Sequence, residues 1–197
     1  MKTALQCIVA ACILLLASGC STNRVNLKYE SGAQHPAIST KSGVSVGQFT
    51  DARGEPANWI GAIRGGFGNP IKVIETDVPV SKAFASAFAA GLEERKALAK
   101  AGEAGYEIRG TIKRFDCDQY ARREATAEVE LKVTRQSDGA IVYFGTKSAN
   151  IVSGSIITLS AGIFGSVEEL RRVAEQTLRQ LVDVVLDDQD FRKAIEQ

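Results

Sequence analysis

The sequence predicts an α+β domain in which an antiparallel sheet of four to five strands carries two helices on one face. Three observations indicate this fold. Apolar and polar residues alternate strictly from Glu124 to Thr134, which is typical of a strand with one buried face. Two segments, 79–95 and 166–186, carry apolar residues at helical spacing. The predicted elements follow one another as strand, strand, helix, three strands and helix.

The chain begins with the features of a signal peptide. Lys2 supplies a positive charge, and the stretch Cys7–Ala17 is a run of eleven apolar residues. This run is too short for a transmembrane helix, which needs about 20 apolar residues. Two small residues then precede Cys20. We therefore expect the chain to be exported and residues 1–19 to be removed.

The segment Leu16-Ala17-Ser18-Gly19-Cys20 resembles the lipobox of bacterial lipoproteins. The resemblance implies that Cys20 becomes the first mature residue and carries the lipid. Ser21 follows rather than Asp, which resembles the signal for the outer membrane of Gram-negative bacteria. The lipobox pattern prefers Leu where Ala17 stands, so an ordinary secretory signal with a chance cysteine is the alternative. We expect a signal peptide at 1–19, a lipidated N-terminus and tether at 20–42, and a single α+β domain at 43–197.

The first half of the domain shows short strand patterns and one clear helix. The tether contains one possible short strand at Arg24–Tyr29. Apolar residues mark strands at Val44–Phe49 and Ile71–Glu75, and a Gly-rich loop is expected between them at Thr50–Pro70. Pro79 suits the first turn of a helix. The apolar face of that helix consists of Val80, Phe84, Phe88 and Leu92.

The second half shows the clearest strands. Alternation predicts strands at Tyr106–Lys113 and Glu124–Thr134. The segment Gln136–Gly139 contains Asp-Gly, which favours a tight hairpin turn, and a return strand is expected over Ala140–Val152.

The last part of the chain is predicted to be helical. Ser166 and Glu169 have the spacing of a capping box. An apolar stripe follows as far as Val185, and Asp187-Asp188 interrupts it. We expect Phe191 and Ile195 to form a short final turn that docks on the body.

Composition and charge exclude several classes of function. The chain has 197 residues, 45% of them hydrophobic and 24% charged, which is typical of a globular protein. Its net charge is +1, and this excess disappears when Lys2 is removed with the signal peptide. A neutral mature chain is not expected to bind nucleic acid or to carry a polybasic membrane patch. A single histidine excludes most histidine-based chemistry.

The order and spacing of the elements resemble the YajG-like family of bacterial lipoproteins and, more distantly, the auxiliary lipoproteins of ABC-type transport systems. The resemblance spans roughly residues 43–196 and includes the lipobox ending at Cys20. Its segments are Val78–Arg95, Tyr106–Phe115, Glu124–Val133 and Thr177–Ile195. The resemblance implies a location and a fold, and it carries no catalytic residues.

The expected loop Thr50–Pro70 is the first candidate contact surface. It holds the only tryptophan of the chain and several apolar residues among glycines, namely Trp59, Ile60, Ile63 and Phe67. One interpretation is a loop that folds back and hides its own aromatic residues. The other is a partner or ligand contact, because long loops are often functional and Trp is enriched in binding hot spots.

The uncharged segment Ser153–Gly165 is the second candidate, with Ile156, Ile157 and Phe164 as its possible contact residues. It is either an extension of the last strand or an apolar flap that touches membrane, lipid or a partner.

The hairpin Asp116–Glu124 is most simply a solvated turn, because two aspartates without a calcium-loop frame are weak metal ligands. Cys117 is then the only cysteine beside Cys20 in the mature chain, so no disulfide is expected.

The sequence therefore predicts a non-catalytic lipoprotein on the periplasmic face of the outer membrane. It would bind the membrane through lipidated Cys20 and an envelope protein as partner, with no cofactor and no metal, as an accessory component of a transport or assembly system. The alternative is a structural envelope or appendage component that forms oligomers.

Overall fold

The computed structural model describes residues 21–30, 32, 34–153 and 166–196. The strands are β1 (Ser21–Val25), β2 (Val44–Asp51), β3 (Trp59–Arg64), β4 (Pro70–Thr76), β5 (Tyr106–Gln119), β6 (Arg123–Arg135) and β7 (Ile141–Ser153). The helices are α1 (Val80–Glu94), α2 (Val167–Leu186) and α3 (Gln189–Ile195). Among these described helices, none combines the length and the apolar character that crossing a membrane requires.

The seven strands form one mixed sheet in the order β1-β4-β3-β5-β6-β7, and β2 lies beside the first half of β5. The β3–β4, β5–β6 and β6–β7 pairs are antiparallel, whereas β1 runs parallel to β4 and β2 parallel to β5. The α+β class is confirmed, but the expected antiparallel sheet of four to five strands with two helices is only roughly right. The connection from β2 to β5 contains α1, and such a crossover makes the two strands parallel.

Two segments that were not expected to belong to the sheet of the domain contribute strands. The first is the tether, where the possible strand at Arg24–Tyr29 is instead β1 at Ser21–Val25, paired with β4. The second is the expected loop Thr50–Pro70, which contains β3. These two strands account for much of the difference between the predicted and the observed sheet.

The hydrophobic core lies between one face of the sheet and the helices. The alternation predicted for β6 is confirmed, because its inward residues are fully buried: Ala125, Ala127, Val129, Leu131 and Val133. Phe88 of α1 stacks on Phe49 of β2 with ring centroids 5.1 Å apart, and Phe84 meets Phe115 edge-on at 5.2 Å. At the other end of the core, Tyr143 meets Phe191 of α3 edge-on at 5.6 Å.

The helices begin and pack as their sequences predict. The Ser166 hydroxyl accepts a hydrogen bond from the Glu169 amide and caps α2. The Asp188 carboxylate accepts from the amides of Asp190 and Phe191 and caps α3. Gly91 lets α1 approach α2 closely, because a Cβ atom there would lie 2.6 Å from a methyl group of Val182.

Several residues of the segment expected to be a tether at 20–42 pack on the body. Val25 and Ile38 are buried in the core. The Ile38 amide donates to the Arg95 carbonyl at 2.9 Å, beyond the end of α1. The folded body therefore includes residues that precede the expected domain start at residue 43.

Candidate functional site

The four residues predicted in the Thr50–Pro70 loop have three different environments. Ile60 and Ile63 are only 1% and 2% exposed, so they belong to the core and cannot contact a partner. Trp59 is half-buried at the start of β3. Phe67, in the turn between β3 and β4, is fully exposed at 102%. The expectation that these residues share a loop is therefore wrong, and Phe67 is the member that a partner can reach.

Gly61 explains why a strand forms where the composition indicates a loop. Its φ of 153° lies at the edge of the region that favours glycine. A Cβ atom at this position would lie 1.8 Å from the carbonyl oxygen of Cys117 in β5. Gly61 therefore allows β3 to approach β5, and it also hides the strand, because it interrupts the alternation of apolar residues.

Arg53 fixes the chain that leads into β3. Its guanidinium donates to the carbonyls of Trp59 at 2.7 Å and Phe115 at 3.0 Å. It also forms an ion pair of 2.7 Å with Asp51 at the end of β2. The hydrogen bond from Arg53 lowers the pKa of Asp51. One side chain thus connects β2, β3 and β5.

The turn that presents Phe67 is braced from several directions. The Gly65 amide donates to the Asn69 carbonyl at 2.8 Å, and the Gly68 amide donates back to the Gly65 carbonyl at 2.8 Å. The hydroxyl of Tyr120, from the neighbouring turn between β5 and β6, donates to the Gly66 carbonyl at 2.7 Å. The exposure of Phe67 is therefore a property of an ordered turn.

The aspartates of the Asp116–Glu124 hairpin bind arginine side chains. Asp118 accepts from the Ala62 amide at 2.9 Å and forms an ion pair of 3.2 Å with Arg64 at the end of β3. Asp116 forms an ion pair with Arg114 on its own strand. Both aspartates thus belong to β5, and Asp118 helps to attach β3 to it.

Phe67 lies at one end of the sheet, where several chain segments meet. Strands β3, β5 and β7 finish there, and β1, β4 and β6 begin there, as the pairs Ser21–Lys72, Ile63–Gln119 and Arg123–Ser153 show. Among the described residues, four exposed large apolar side chains lie at this end: Phe67, Ile71, Tyr120 and Val152. We call this end of the sheet, which presents Phe67, Ile71 and Tyr120, the Phe67 end.

A buried cluster of charges joins the N-terminal segment to the helices on the other side of the domain. Arg95 is fully buried and forms ion pairs of 3.0 Å with Asp183 and 2.9 Å with Asp187. Its guanidinium also lies 2.8 Å from Nδ1 of His35. The hydroxyl of Tyr29 donates to Asp183 at 2.8 Å.

These contacts change the ionisation of the cluster. Burial raises the pKa of the Tyr29 hydroxyl. Burial alone would raise the pKa of Asp187, but hydrogen bonds from Arg95 and Arg192 outweigh it, so the pKa is lowered. Burial likewise opposes the charge of Arg95, and its hydrogen bonds with Asp187, Tyr29 and Asp183 more than compensate, so its pKa is raised. The cluster holds its charges as fixed ion pairs.

The same cluster contains a group of possible metal ligands. The ligand atoms of His35, Asp183 and Asp187 lie within 4.8 Å of one another. The two arginines Arg95 and Arg192 already neutralise these carboxylates, and Arg192 lies 2.7 Å from Asp187. A divalent cation would have to displace them, so we assign the cluster a structural role. The sequence offers little signal for it, because His35 lies in the expected tether and Arg95 at the end of a predicted helix.

Cys117 is a buried residue of β5, although it lies in the segment Asp116–Glu124 that was expected to be a solvated turn. Its thiol donates to the Leu170 carbonyl at 3.3 Å. Burial raises the pKa of the thiol, which keeps it in the unreactive protonated form.

The remaining predicted site residues, Cys20, Ile156, Ile157 and Phe164, lie outside the described residues. The described chain nevertheless defines their points of attachment. Ser21 opens β1 beside Lys72, and Ser153 ends β7 beside Arg123. Ser166 caps α2, whose first turn holds Glu169 in an ion pair with the same Arg123. All three attachment points therefore lie at the Phe67 end.

No protein-family model and no curated protein matches the chain. Among solved structures, it is similar to protein XCC0632 from Xanthomonas campestris, described as DUF330, with 18% identity, a TM-score of 0.61, and coverage of 88% of this chain and 96% of that chain. It is also similar to a PelC dodecamer from Paraburkholderia phytofirmans, with 14% identity, a TM-score of 0.43, and coverage of 80% and 96%. Lipoprotein GNA1162 from Neisseria meningitidis matches with 8% identity, a TM-score of 0.31, and coverage of 73% and 99%. The likeness to XCC0632 shows a common fold.

Proposed function

We propose that this protein is a lipid-anchored lipoprotein on the periplasmic face of the bacterial outer membrane. In this proposal it acts without catalysis, as a binding or accessory component of an envelope transport or assembly system. The observation that carries the proposal is the position of Ser21. This residue follows Cys20 of the lipobox-like segment and is already paired with Lys72 in the sheet. Lipidation of Cys20 would therefore attach the acyl chains directly to the folded domain.

A non-catalytic role agrees with the chemistry of the described side chains. The buried charges near His35 form ion pairs with one another. The thiol of Cys117 is buried and hydrogen-bonded to a main-chain carbonyl. Catalytic groups need access to a substrate and a suitable pKa. These two features favour a structural explanation for the titratable groups in the core.

Fractionation of cell envelopes tests the proposed location. On a density gradient, the wild-type protein should move with the outer membrane. The Cys20→Ser variant should leave that fraction, because it lacks the acylated residue. The matched control is Cys12→Ser, which changes a signal-peptide cysteine and should leave the distribution unchanged. Recovery of Cys20→Ser in the outer membrane at the wild-type level would contradict the proposal.

A structural oligomer is the second candidate, and one observation favours it. Strand β7 has 13 residues and ends the strand order of the described sheet. It carries exposed Ile141, Phe144 and Val152. Long edge strands with apolar residues are templates for pairing with another chain. Chemical crosslinking of the protein in intact cells should show a ladder of homo-oligomers if β7 serves this role. Thr146→Pro should remove the ladder, because proline cannot donate a strand hydrogen bond.

A further inference from the structure

We propose that the Phe67 end lies against the phospholipid surface, with the Phe67 side chain in the interface beside the lipid on Cys20. This inference rests on the proposed lipid anchor and adds a second, non-covalent membrane contact. It also gives the domain a definite orientation, in which the turn at Gln136–Gly139 points away from the membrane.

The position of the anchor supports this orientation. Consecutive Cα atoms are about 3.8 Å apart, so Cys20 lies one such step from Ser21. Ser21 pairs with Lys72, and Lys72 follows Ile71 of the Phe67 end. A lipid on Cys20 therefore brings Ile71 and the neighbouring β3–β4 turn close to the membrane surface. No flexible spacer within the described chain separates the anchor position from this end.

The exposed side chains at this end suit a membrane interface. Phe67 is fully exposed, and Ile71 and Tyr120 are 43% and 51% exposed. Aromatic residues are enriched where a membrane meets water, because their rings tolerate both environments. The turn is held by the hydrogen bond from Tyr120 to Gly66, so Phe67 is presented in an ordered geometry. An exposed Phe on a braced turn is explained if the membrane covers it.

The ion pairs near the Phe67 end indicate that its contact with the membrane is apolar. Arg64 is paired with Asp118, and Arg122 is paired with Glu124. Paired charges of this kind provide little net attraction to anionic lipids. We therefore expect membrane contact at Phe67 to depend on the anchor and on apolar side chains, and to change little with salt.

The chain outside the described residues also joins the domain at this end. Residues 154–165 connect Ser153 to Ser166, and both attachment points are close to Arg123. By sequence this segment is uncharged. Both attachment points therefore lie on the side of the domain that carries the proposed anchor position.

Fluorescence of the full-length lipidated protein in vesicles tests this proposal. The vesicles contain phosphatidylethanolamine and phosphatidylglycerol, with or without brominated acyl chains. The probe protein carries Trp59→Phe with Phe67→Trp, so that its only tryptophan lies at position 67. The matched control carries Trp59→Phe with Ser137→Trp at the opposite end of the sheet. Flotation of the protein with the vesicles measures lipid anchoring independently of the fluorescence.

We expect both proteins to float with the vesicles. Brominated lipid should reduce the fluorescence at position 67 and leave that at position 137 unchanged, while iodide should quench only position 137. A floating protein whose position 67 is open to iodide would refute the membrane contact and leave the anchor intact. Shielding from iodide without quenching by brominated lipid would refute it in favour of a second copy. Equal quenching at both positions would refute the orientation, and failure to float would contradict both the anchor and the contact.

Discussion

Ser21 pairs with Lys72 at the first position of the parallel β1–β4 ladder. The residue that follows the predicted lipidation site is therefore part of the folded sheet. The Phe67 end begins one residue away, at Ile71, and includes a fully exposed aromatic side chain. This arrangement relates the anchor, the orientation of the domain and the exposed apolar surface to one another.

The register of β6 predicts a large loss of stability at one position and a small change at the adjacent one. Leu131 is fully buried, so Leu131→Asp should lower the free energy of unfolding by several kcal/mol, because it buries an unpaired charge. Glu130 forms a long surface ion pair of 3.6 Å with Lys113. Glu130→Gln should change stability by less than about 1 kcal/mol. Urea unfolding monitored by circular dichroism checks both, and equal losses would show that the register is wrong.

The approach of β3 to β5 predicts a large difference between two glycines. Gly61→Ala should destabilise the domain by about 1–3 kcal/mol or more, because the new Cβ atom would overlap the Cys117 carbonyl. Gly66→Ala is the matched control, since no atom lies within 4 Å of a Cβ placed there. Thermal unfolding of both variants checks this prediction. A Gly61→Ala variant as stable as Gly66→Ala would mean that β3 does not contact β5 as described.

The buried cluster predicts a strong dependence on Arg95. Arg95→Met should reduce the free energy of unfolding by about 1–3 kcal/mol, because it removes the buried partner of Asp183 and leaves Asp187 with Arg192. Arg109→Met removes an exposed arginine that pairs with Glu107 and should cost less than about 1 kcal/mol. Denaturant titration of the two variants gives the comparison. Similar small losses would contradict the structural role of the cluster.

The lowered pKa of Asp187 predicts loss of stability in acid. Its folded-state pKa is below the unfolded value of about 3.9. The unfolded state therefore binds the proton more readily, and the contribution of Asp187 is present above that pH and is lost as the pH falls. Unfolding free energies measured between about pH 6 and pH 2.5 should decline below about pH 4. Asp187→Asn should show a shallower decline, and an unchanged slope would argue against the ion pairs.

Part of this fold can be predicted from the sequence, because some elements have a local pattern of apolar, polar and capping residues. In β6, residues such as Val129 and Leu131 alternate with charged residues, so one strand reveals its buried face. The cap at Ser166 and the helix after Pro79 are equally local signals. The parallel pairing of β1 with β4 has no local signal, because it depends on how distant segments meet. β3 was missed because Gly61 breaks its alternation.

In the candidate site, too, some features have a local sequence signal and others depend on contacts between distant segments. The exposure of Phe67 is consistent with its Gly-rich neighbourhood, whereas the burial of Ile60 and Ile63 depends on contact with β5. The cluster of His35, Arg95 and Asp187 joins residues that are 60 to 152 positions apart in the chain. The break in the apolar stripe at Asp187-Asp188 was the only sequence signal near it. The sequence alone does not show that Asp187 pairs with Arg95 and His35, because these pairs depend on the fold.

Metabolic labelling with palmitate tests the central claim, that Cys20 carries the lipid beside the sheet. The wild-type protein and the Cys12→Ser control should both incorporate the label, because each retains Cys20. The Cys20→Ser variant should incorporate none, and its unlabelled chain should be detected by immunoblotting as an uncleaved precursor. Label retained by Cys20→Ser, or absent from the wild type, would contradict the account.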